Sequence, residues 1–192
     1  MGRRAEPGAV RDCLQVRGAS ADEFAVESLD TADHRLSDAD APATGPIGGV
    51  ILRFAGARYA VDMSTVAEVV PVPSMTRVPG GPPWLSGVVN WRGRVLPVLD
   101  LRPLVGAPLS PMPTSSRLVV LAEEDVEVGV IADMVPGLLD CDPELLEPLP
   151  ATVSAGIAPL VLGVVDFDGP VALLDTHAVL AMRQQLPSAR RS

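Results

Sequence analysis

Residues 87–101 read Gly-Val-Val-Asn-Trp-Arg-Gly-Arg-Val-Leu-Pro-Val-Leu-Asp-Leu. Two runs rich in valine and leucine flank a short polar segment that contains Gly93, and this pattern predicts a β-hairpin. Pro97 lies in the second run and has no N–H to donate, so we expect an edge strand or a bulge there. Arg92 and Arg94 are expected to project from the tip, where they suit recognition better than catalysis.

The hairpin pattern occurs a second time. Residues 163–175 read Gly-Val-Val-Asp-Phe-Asp-Gly-Pro-Val-Ala-Leu-Leu-Asp, and the matched glycines are Gly87 with Gly163 and Gly93 with Gly169. The two copies align to their final aspartates only if the first holds one extra residue, which we place as a bulge near Leu96 and Pro97. The repeat predicts a duplicated all-β unit, each copy about 60–70 residues long, packed as a pseudo-symmetric pair.

The repeat also bears on Arg92. Its counterpart in the second copy is Asp168, so the turn itself does not require arginine. The glycine that follows is present in both copies, which fits a backbone position with positive φ. Arg92 is therefore either a solvated turn arginine or a residue free to bind a partner.

Composition excludes several classes of function. The chain has 192 residues, 47% hydrophobic and 20% charged, which fits one globular domain. Its net charge is −9 and its basic residues are all arginine, so it has no P-loop lysine and no Schiff-base lysine. The acidic balance and an aromatic content of 3% argue against nucleic-acid binding. Twenty prolines and seventeen glycines favour short strands and turns over long helices.

The first 45 residues differ from the rest. They are polar and acidic, and we interpret residues 1–45 as a disordered acidic extension. Within them Ser20-Ala21-Asp22-Glu23 matches a helix capping box, followed by Phe24, Val26 and Leu29, but an isolated helix this short is marginal. No stretch approaches the length of a membrane span, so we expect a cytoplasmic protein without direct membrane insertion.

The remaining chain, residues 46–188, is predicted to form one folded unit. We expect a first barrel over residues 46–106, a second over 116–175 and a C-terminal helix over 176–186, capped by Asp175. Another capped helical turn is predicted to begin at Asp100. Thr65-Val66-Ala67-Glu68 matches a capping box, so one interpretation of Glu68 is purely local, with its carboxylate bonded to the amide of Thr65.

Catalytic and metal-binding patterns are not found in the sequence. The two histidines, His34 and His177, lie far apart, and Asp175 points to a different side of a helix from His177. Cys13 and Cys141 lack metal-type spacing. We therefore expect a protein that is not an enzyme and holds no cofactor or metal.

Taken together, the motifs resemble a known family, the CheW-like domain of bacterial chemotaxis coupling proteins. The resemblance extends over roughly residues 47–186. It is strongest in the Asn-Trp-Arg-Gly turn and the Leu-Pro-Val-Leu-Asp-Leu strand of the hairpin, and in Val-Ala-Glu-Val-Val at residues 66–70. Residues 129–135 and the second hairpin also match.

The resemblance implies a fold and a role. The fold is two five-stranded SH3-like β-barrels around a shared apolar interface. The role is a non-enzymatic adaptor that joins the cytoplasmic tip of methyl-accepting chemoreceptors to the regulatory domain of a CheA-type histidine kinase. The family's coupling surface corresponds here to Val66, Glu68, Val69 and Arg92, with Asn90 and Gly93 supporting the turn. Trp91 departs from the leucine that is more usual in the family, and either adds a stacking contact or fills a pocket.

Two other functions remain open from the sequence. A CheW-like paralogue serving another chemosensory-type pathway, such as gliding or pili, would have the same physics and different partners. A small-molecule sensor would use the cleft between the barrels, although no convergent polar residues point to one.

Overall fold

The computed structural model describes residues 46–109, 111–151 and 153–186, so the predicted extension over residues 1–45 lies outside the described part. The described chain is almost entirely β. Its strands are β1 (Ile47–Phe54), β2 (Ala57–Asp62), β3 (Val66–Pro71), β4 (Leu85–Trp91), β5 (Arg94–Leu99), β6 (Arg117–Glu123), β7 (Val126–Ala132), β8 (Met134–Cys141), β9 (Val161–Asp166) and β10 (Pro170–Leu174). One α-helix, α1 (Thr176–Ala181), follows them and continues as a 3-10 turn over Met182–Gln185.

The strands form two five-stranded sheets, in the orders β8-β1-β2-β10-β9 and β3-β6-β7-β5-β4. The predicted all-β class with two five-stranded, SH3-like units is confirmed. The predicted division into barrels over 46–106 and 116–175 is wrong, because each sheet takes strands from both halves of the chain. The parallel pairs β2–β10 and β5–β7 join the halves, so neither half completes a sheet by itself.

The two sheets carry the internal repeat that the sequence predicts. Exchanging β1–β5 for β6–β10 in order converts one sheet order into the other. In each sheet the segment after one outer strand also bridges to the opposite outer strand, at Thr76–Val88 in one and Glu147–Val164 in the other. These bridges close each sheet toward a barrel, which leaves fewer unpaired edge groups.

The bridges explain why a glycine recurs at the start of each hairpin. A Cβ on Gly87 would lie 2.5 Å from the carbonyl oxygen of Thr76, and one on Gly163 would lie 2.6 Å from that of Glu147. Side-chain carbon does not fit at that separation from backbone. The repeated glycines therefore allow the closing segment to approach the hairpin.

Three apolar clusters fill the molecule. Two of them are each enclosed by one curved sheet, around Ile51 and Val171 in the first sheet and around Leu96 and Leu118 in the second. The third and largest contains buried residues of both sheets together with residues of α1. This third cluster is the shared apolar interface that the family resemblance implies.

The sequence pattern predicts that the extra residue of the first hairpin is a bulge near Leu96 and Pro97, and this prediction is wrong. Strands β4 and β5 pair without a shift from Gly87 to Trp91, through the pair of Asn90 with Val95. In the second hairpin Asp166 pairs with Pro170, one residue closer along the chain. Four residues separate the paired Asn90 and Val95, and three separate the equivalent Asp166 and Pro170, so the extra residue lies at the turn of the first hairpin.

The interpretation of Pro97 is also corrected. β5 lies inside its sheet, between β7 and β4, and Pro97 pairs in register with Val88. Pairing with β7 begins only at Val98, so the missing N–H of Pro97 lies just outside that ladder. A proline is tolerated in an interior strand where one of its two ladders has ended.

The cap of α1 is as predicted, whereas the turn predicted to begin at Asp100 begins at Arg102, and its N-cap Leu101 makes no side-chain capping bond. Asp175 caps α1 by accepting a hydrogen bond from the amide of Ala178 at 3.1 Å. Asp100 accepts a bond from the amide of Arg102 at 3.0 Å, at the start of the 3-10 turn Arg102–Val105. This turn ends at Gly106, whose φ of 74° is in the left-handed region that favours glycine.

Candidate functional site

The fold brings the two separate parts of the predicted coupling surface into contact. Glu68 is on β3 and Arg92 is at the tip of the β4–β5 hairpin, and Nη2 of Arg92 donates to Oε2 of Glu68 at 2.6 Å. β3 and β4 are the two outer strands of their sheet. The ion pair therefore spans the seam of the barrel, on the surface, with 74% of the Arg92 side chain exposed and 30% of that of Glu68.

The local interpretation of Glu68 is wrong. The helical turn lies earlier than predicted, over Met63–Thr65, and Asp62 caps it by accepting from the amide of Ser64 at 2.8 Å. Glu68 itself is in extended backbone. Its carboxylate is bonded to a side chain 24 residues away rather than to the neighbouring amide, so its position serves a tertiary contact.

The two valines of this segment differ in exposure. Val66 is half-buried and packs against the core between the sheets. Val69 pairs with Val119 of β6, as Val66 pairs with Leu121, but Val69 is 37% exposed. The register with β6 shifts between Val66 and Glu68, which is typical of a β-bulge and turns Glu68 toward the hairpin tip.

The turn is held by the residues that flank Arg92. Arg92 and Gly93 have φ values of 48° and 79°, and this pair of positive angles is typical of a type I′ hairpin turn. Oδ1 of Asn90 accepts a hydrogen bond from the amide of Gly93 at 3.1 Å. The second hairpin repeats the arrangement, with Asp168 at φ 50° and Oδ1 of Asp166 bonded to the amide of Gly169.

Trp91 does both of the things that the sequence left open, within its own chain. It is half-buried and packs against the core of the second sheet, near Val89 and Leu96. The guanidinium carbon of Arg92 lies 5.5 Å from the centre of its ring, within the range of a cation–π contact. Trp91 and Glu68 therefore position the guanidinium of Arg92 from two sides.

Two further features were not predicted from the sequence. Val95 is 71% exposed and follows the tip directly, although valine in a strand usually indicates burial. Arg102 is buried, and its guanidinium binds the carboxylate of Asp100 at 2.6 Å and lies 3.9 Å from that of Asp133. The hydrogen bond with Asp100 raises the pKa of Arg102 and outweighs the opposing effect of burial. No sequence pattern indicates that this arginine turns inward.

His177 is on the surface of α1. Its Nδ1 lies 2.7 Å from Oε2 of Glu123, and the side chain is 79% exposed. Asp175 is occupied by the helix cap and not by this histidine. Across the described ranges, no group of three or more histidine, cysteine or acidic residues has the geometry to bind a metal ion. None of the helices in this part of the chain combines the length and apolar character needed to cross a bilayer.

Comparison with known proteins gives the family. The sequence model of the CheW-like domain matches residues 48–184. The chain is 35% identical over 135 residues to protein PilI of Pseudomonas aeruginosa, covering 68% of this chain and 74% of PilI. It is 29% identical to chemotaxis protein CheW of Bacillus subtilis, covering 68% and 85%, and 32% identical to protein FrzA of Myxococcus xanthus, covering 72% and 88%.

A solved structure agrees in fold as well as in sequence. The scaffolding protein TtCheW from Thermoanaerobacter tengcongensis superposes with a TM-score of 0.61 at 25% identity, over 74% of this chain and 90% of that one. The sequence match spans both sheets and includes the Glu68–Arg92 seam. The chain belongs to the CheW-like domain family.

Proposed function

We propose that the chain is a non-enzymatic adaptor that couples chemoreceptors to a CheA-type histidine kinase in chemotaxis signal transduction. The observation that carries the proposal is the exposed Glu68–Arg92 pair at the seam of a CheW-like fold. The named relatives, among them chemotaxis protein CheW and the scaffolding protein TtCheW, support it. The partners are the regulatory domain of the kinase and the cytoplasmic tip of a methyl-accepting chemoreceptor.

The surface has the composition of a recognition site. Arg92 offers guanidinium donors that remain accessible beside Glu68, and arginine pairs well with planar carboxylates. Val69 follows Glu68 in the outer strand β3 and is 37% exposed, so this edge of the sheet offers an apolar side chain as well as a charged one. An amphipathic partner surface matches this combination, with charge fixing its register.

The turn makes the surface rigid. The amide of Gly93 is bonded to Asn90, and Trp91 is packed into the barrel core. A side chain presented from a fixed backbone loses less conformational freedom on binding than one on an open loop. This gives Asn90, Trp91 and Gly93 supporting roles in the proposed site, while Glu68 and Arg92 make contacts.

Receptor-coupled kinase activation tests the proposal. Arg92→Asp reverses the charge without new backbone strain, because an aspartate already occupies the equivalent φ at Asp168. Asp168→Arg is the matched control, since it reverses the charge at the other hairpin tip. We expect Arg92→Asp to lose most coupling and Asp168→Arg to retain it. Full coupling by a folded Arg92→Asp protein would remove Arg92 from the interface.

A second pathway assignment has its own support. The relatives named PilI and FrzA match the chain at 35% and 32% identity, alongside proteins named CheW. The same adaptor physics would then serve another chemosensory-type pathway with different partners. Affinity capture from the native cell separates the two assignments, because the receptor and kinase that co-purify identify the pathway.

The sensor alternative is less well supported by the packing. The space between the two sheets is filled by a large apolar cluster that includes Leu52, Tyr59, Leu99 and Val130. A shallow groove of about 430 Å³ lies elsewhere, between α1 and the β6–β7 turn, and its lining mixes charged residues such as Glu123 and Arg183 with apolar ones such as Leu180. Ligand sites are more often enclosed and apolar.

A further inference from the structure

The hairpin tip of the second sheet carries positive charge on an acidic protein. Residues 66–99 contain three arginines and one acidic residue, whereas the whole chain has a net charge of −9. Arg92 and Arg94 are both exposed, and Val95 beside them is 71% exposed. We call these three residues the basic tip. Like charges beside an exposed apolar side chain match an acidic partner that also has apolar side chains.

The chain contains a segment of that composition. Residues 22–40, which we call the acidic segment, hold seven acidic residues and one arginine, with Phe24, Val26 and Leu29 among them. The acidic residues are Asp22, Glu23, Glu27, Asp30, Asp33, Asp38 and Asp40. The match to the CheW-like domain begins only at residue 48, so the segment is additional to the family fold.

The start of the described chain lies beside the turn that leads into β3, the strand of Glu68. A Cβ on Gly48 would lie 3.1 Å from the terminal carbon of Met63, so the start of β1 lies against the turn that leads into β3. Glu68 lies five residues after Met63, so the Cα atoms of the two residues are at most about 18 Å apart. Glu68 in turn contacts Arg92 at 2.6 Å.

The length of chain before β1 sets how far the acidic segment reaches. Six residues separate Asp40 from Ile47, and a chain of that length reaches about 25 Å when extended. Residues earlier in the acidic segment have more chain available. The earlier part of the acidic segment therefore has enough chain to reach Arg94 and Val95.

We propose that the acidic segment docks on the basic tip of its own chain and occludes it. Its carboxylates pair with Arg92 and Arg94, and an apolar side chain of the segment covers Val95. The docking is independent of the proposed adaptor function. Its consequence rests on that function, because a docked segment competes with the partner for Arg92 and so makes coupling adjustable.

Paramagnetic broadening in the full-length chain tests the docking. A nitroxide is attached at Ser28→Cys in a Cys13→Ser background, and Cys141 is left unchanged because it is only 3% exposed. We expect the amide signals of Arg94 and Val95 to broaden several-fold more than those of Asp168 and Gly169 at the other tip. Arg94→Glu or 1 M salt, where the Debye length is about 3 Å, is expected to remove the difference.

Three results would overturn the docking. One is equal broadening at both hairpin tips, and another is a difference that persists in Arg94→Glu. The third comes from mixing nitroxide-labelled chains with isotope-enriched chains that carry no nitroxide. Broadening in that mixture would assign the contact to a second copy of the chain instead of the same copy.

Partner affinity then tests occlusion separately. Neutralising Asp22, Glu23, Glu27 and Asp30 to the corresponding amides is expected to raise the affinity for the kinase regulatory domain several-fold. An unchanged affinity would overturn the occlusion. If the kinase domain binds neither form, the adaptor function fails while the broadening experiment still decides the docking.

Discussion

A structural role and a binding role for the Glu68–Arg92 ion pair predict different losses of stability and of partner affinity when the pair is broken. The atoms are 2.6 Å apart, but the side chains are 30% and 74% exposed. Exposed ion pairs contribute about 0.2–1 kcal/mol to stability. For a chain of this length that corresponds to a fall in Tm of at most about 2–4 °C when either charge is removed. Breaking the pair should therefore leave the fold intact.

Partner binding should respond much more strongly. Reversing the charge of Arg92 places a carboxylate where the partner expects a cation, and we expect a loss of at least tenfold in affinity, about 1.4 kcal/mol. The informative variant combines Glu68→Arg with Arg92→Asp. The swapped pair can re-form within the chain and recover stability, but it presents inverted charges to the partner and should not recover affinity.

The assay is a double-mutant cycle measured twice, once by denaturant unfolding and once by titration with the kinase regulatory domain. We expect the two single variants and the swap to lie within about 1 kcal/mol of the parent in stability. All three should bind at least tenfold more weakly. A loss of more than about 2 kcal/mol in stability would make the pair a structural latch. Parent-like affinity in the swap would refute its role in recognition.

Three further predictions concern the scaffold. Arg102→Met leaves the carboxylate of Asp100, which is 1% exposed, buried without its cation, and should cost roughly 3–5 kcal/mol in denaturant unfolding. Gly87→Ala forces a methyl group to within 2.5 Å of a backbone oxygen and should cost more than about 2 kcal/mol, whereas Gly137→Ala, with nothing within 4 Å, should stay within about 0.5 kcal/mol. Burial raises the pKa of Tyr59 above its ordinary value of 10.0, so the folded state keeps this proton to higher pH than the unfolded state. Stability should therefore fall as pH rises above about 10, and Tyr59→Phe should remove that part of the slope in unfolding measurements from pH 9 to 11.

Much of the fold could be predicted from the sequence because the patterns that indicate it are local. The valine-rich runs, the turn glycines and the Asp175 cap are each written within a dozen neighbouring residues. What the sequence did not contain was the exchange of strands between the halves. That exchange depends on the parallel pairs β2–β10 and β5–β7, which join residues far apart in the chain. A local pattern predicts where a strand lies in the sequence but not which strand it pairs with in the sheet.

The candidate site shows the same division. The hairpin turn predicted the exposure of Arg92, and the family resemblance placed Glu68 on the same surface. The capping-box pattern was misleading, since Glu68 is in a strand and its partner is 24 residues away. Nothing in the sequence distinguished the buried Arg102 from the exposed Arg92. Arg102 turns inward because Asp100 and Asp133 compensate its charge, and only the tertiary fold brings Asp133 near.

Bridging is the property that defines an adaptor, and co-sedimentation measures it directly. Membrane vesicles that contain receptor are pelleted with the kinase and increasing amounts of the chain. We predict that kinase pellets only when the chain is present, and that Arg92→Asp abolishes this transfer while Asp168→Arg preserves it. Kinase that stays in the supernatant at every concentration of the chain, or that pellets equally well without it, would contradict the account.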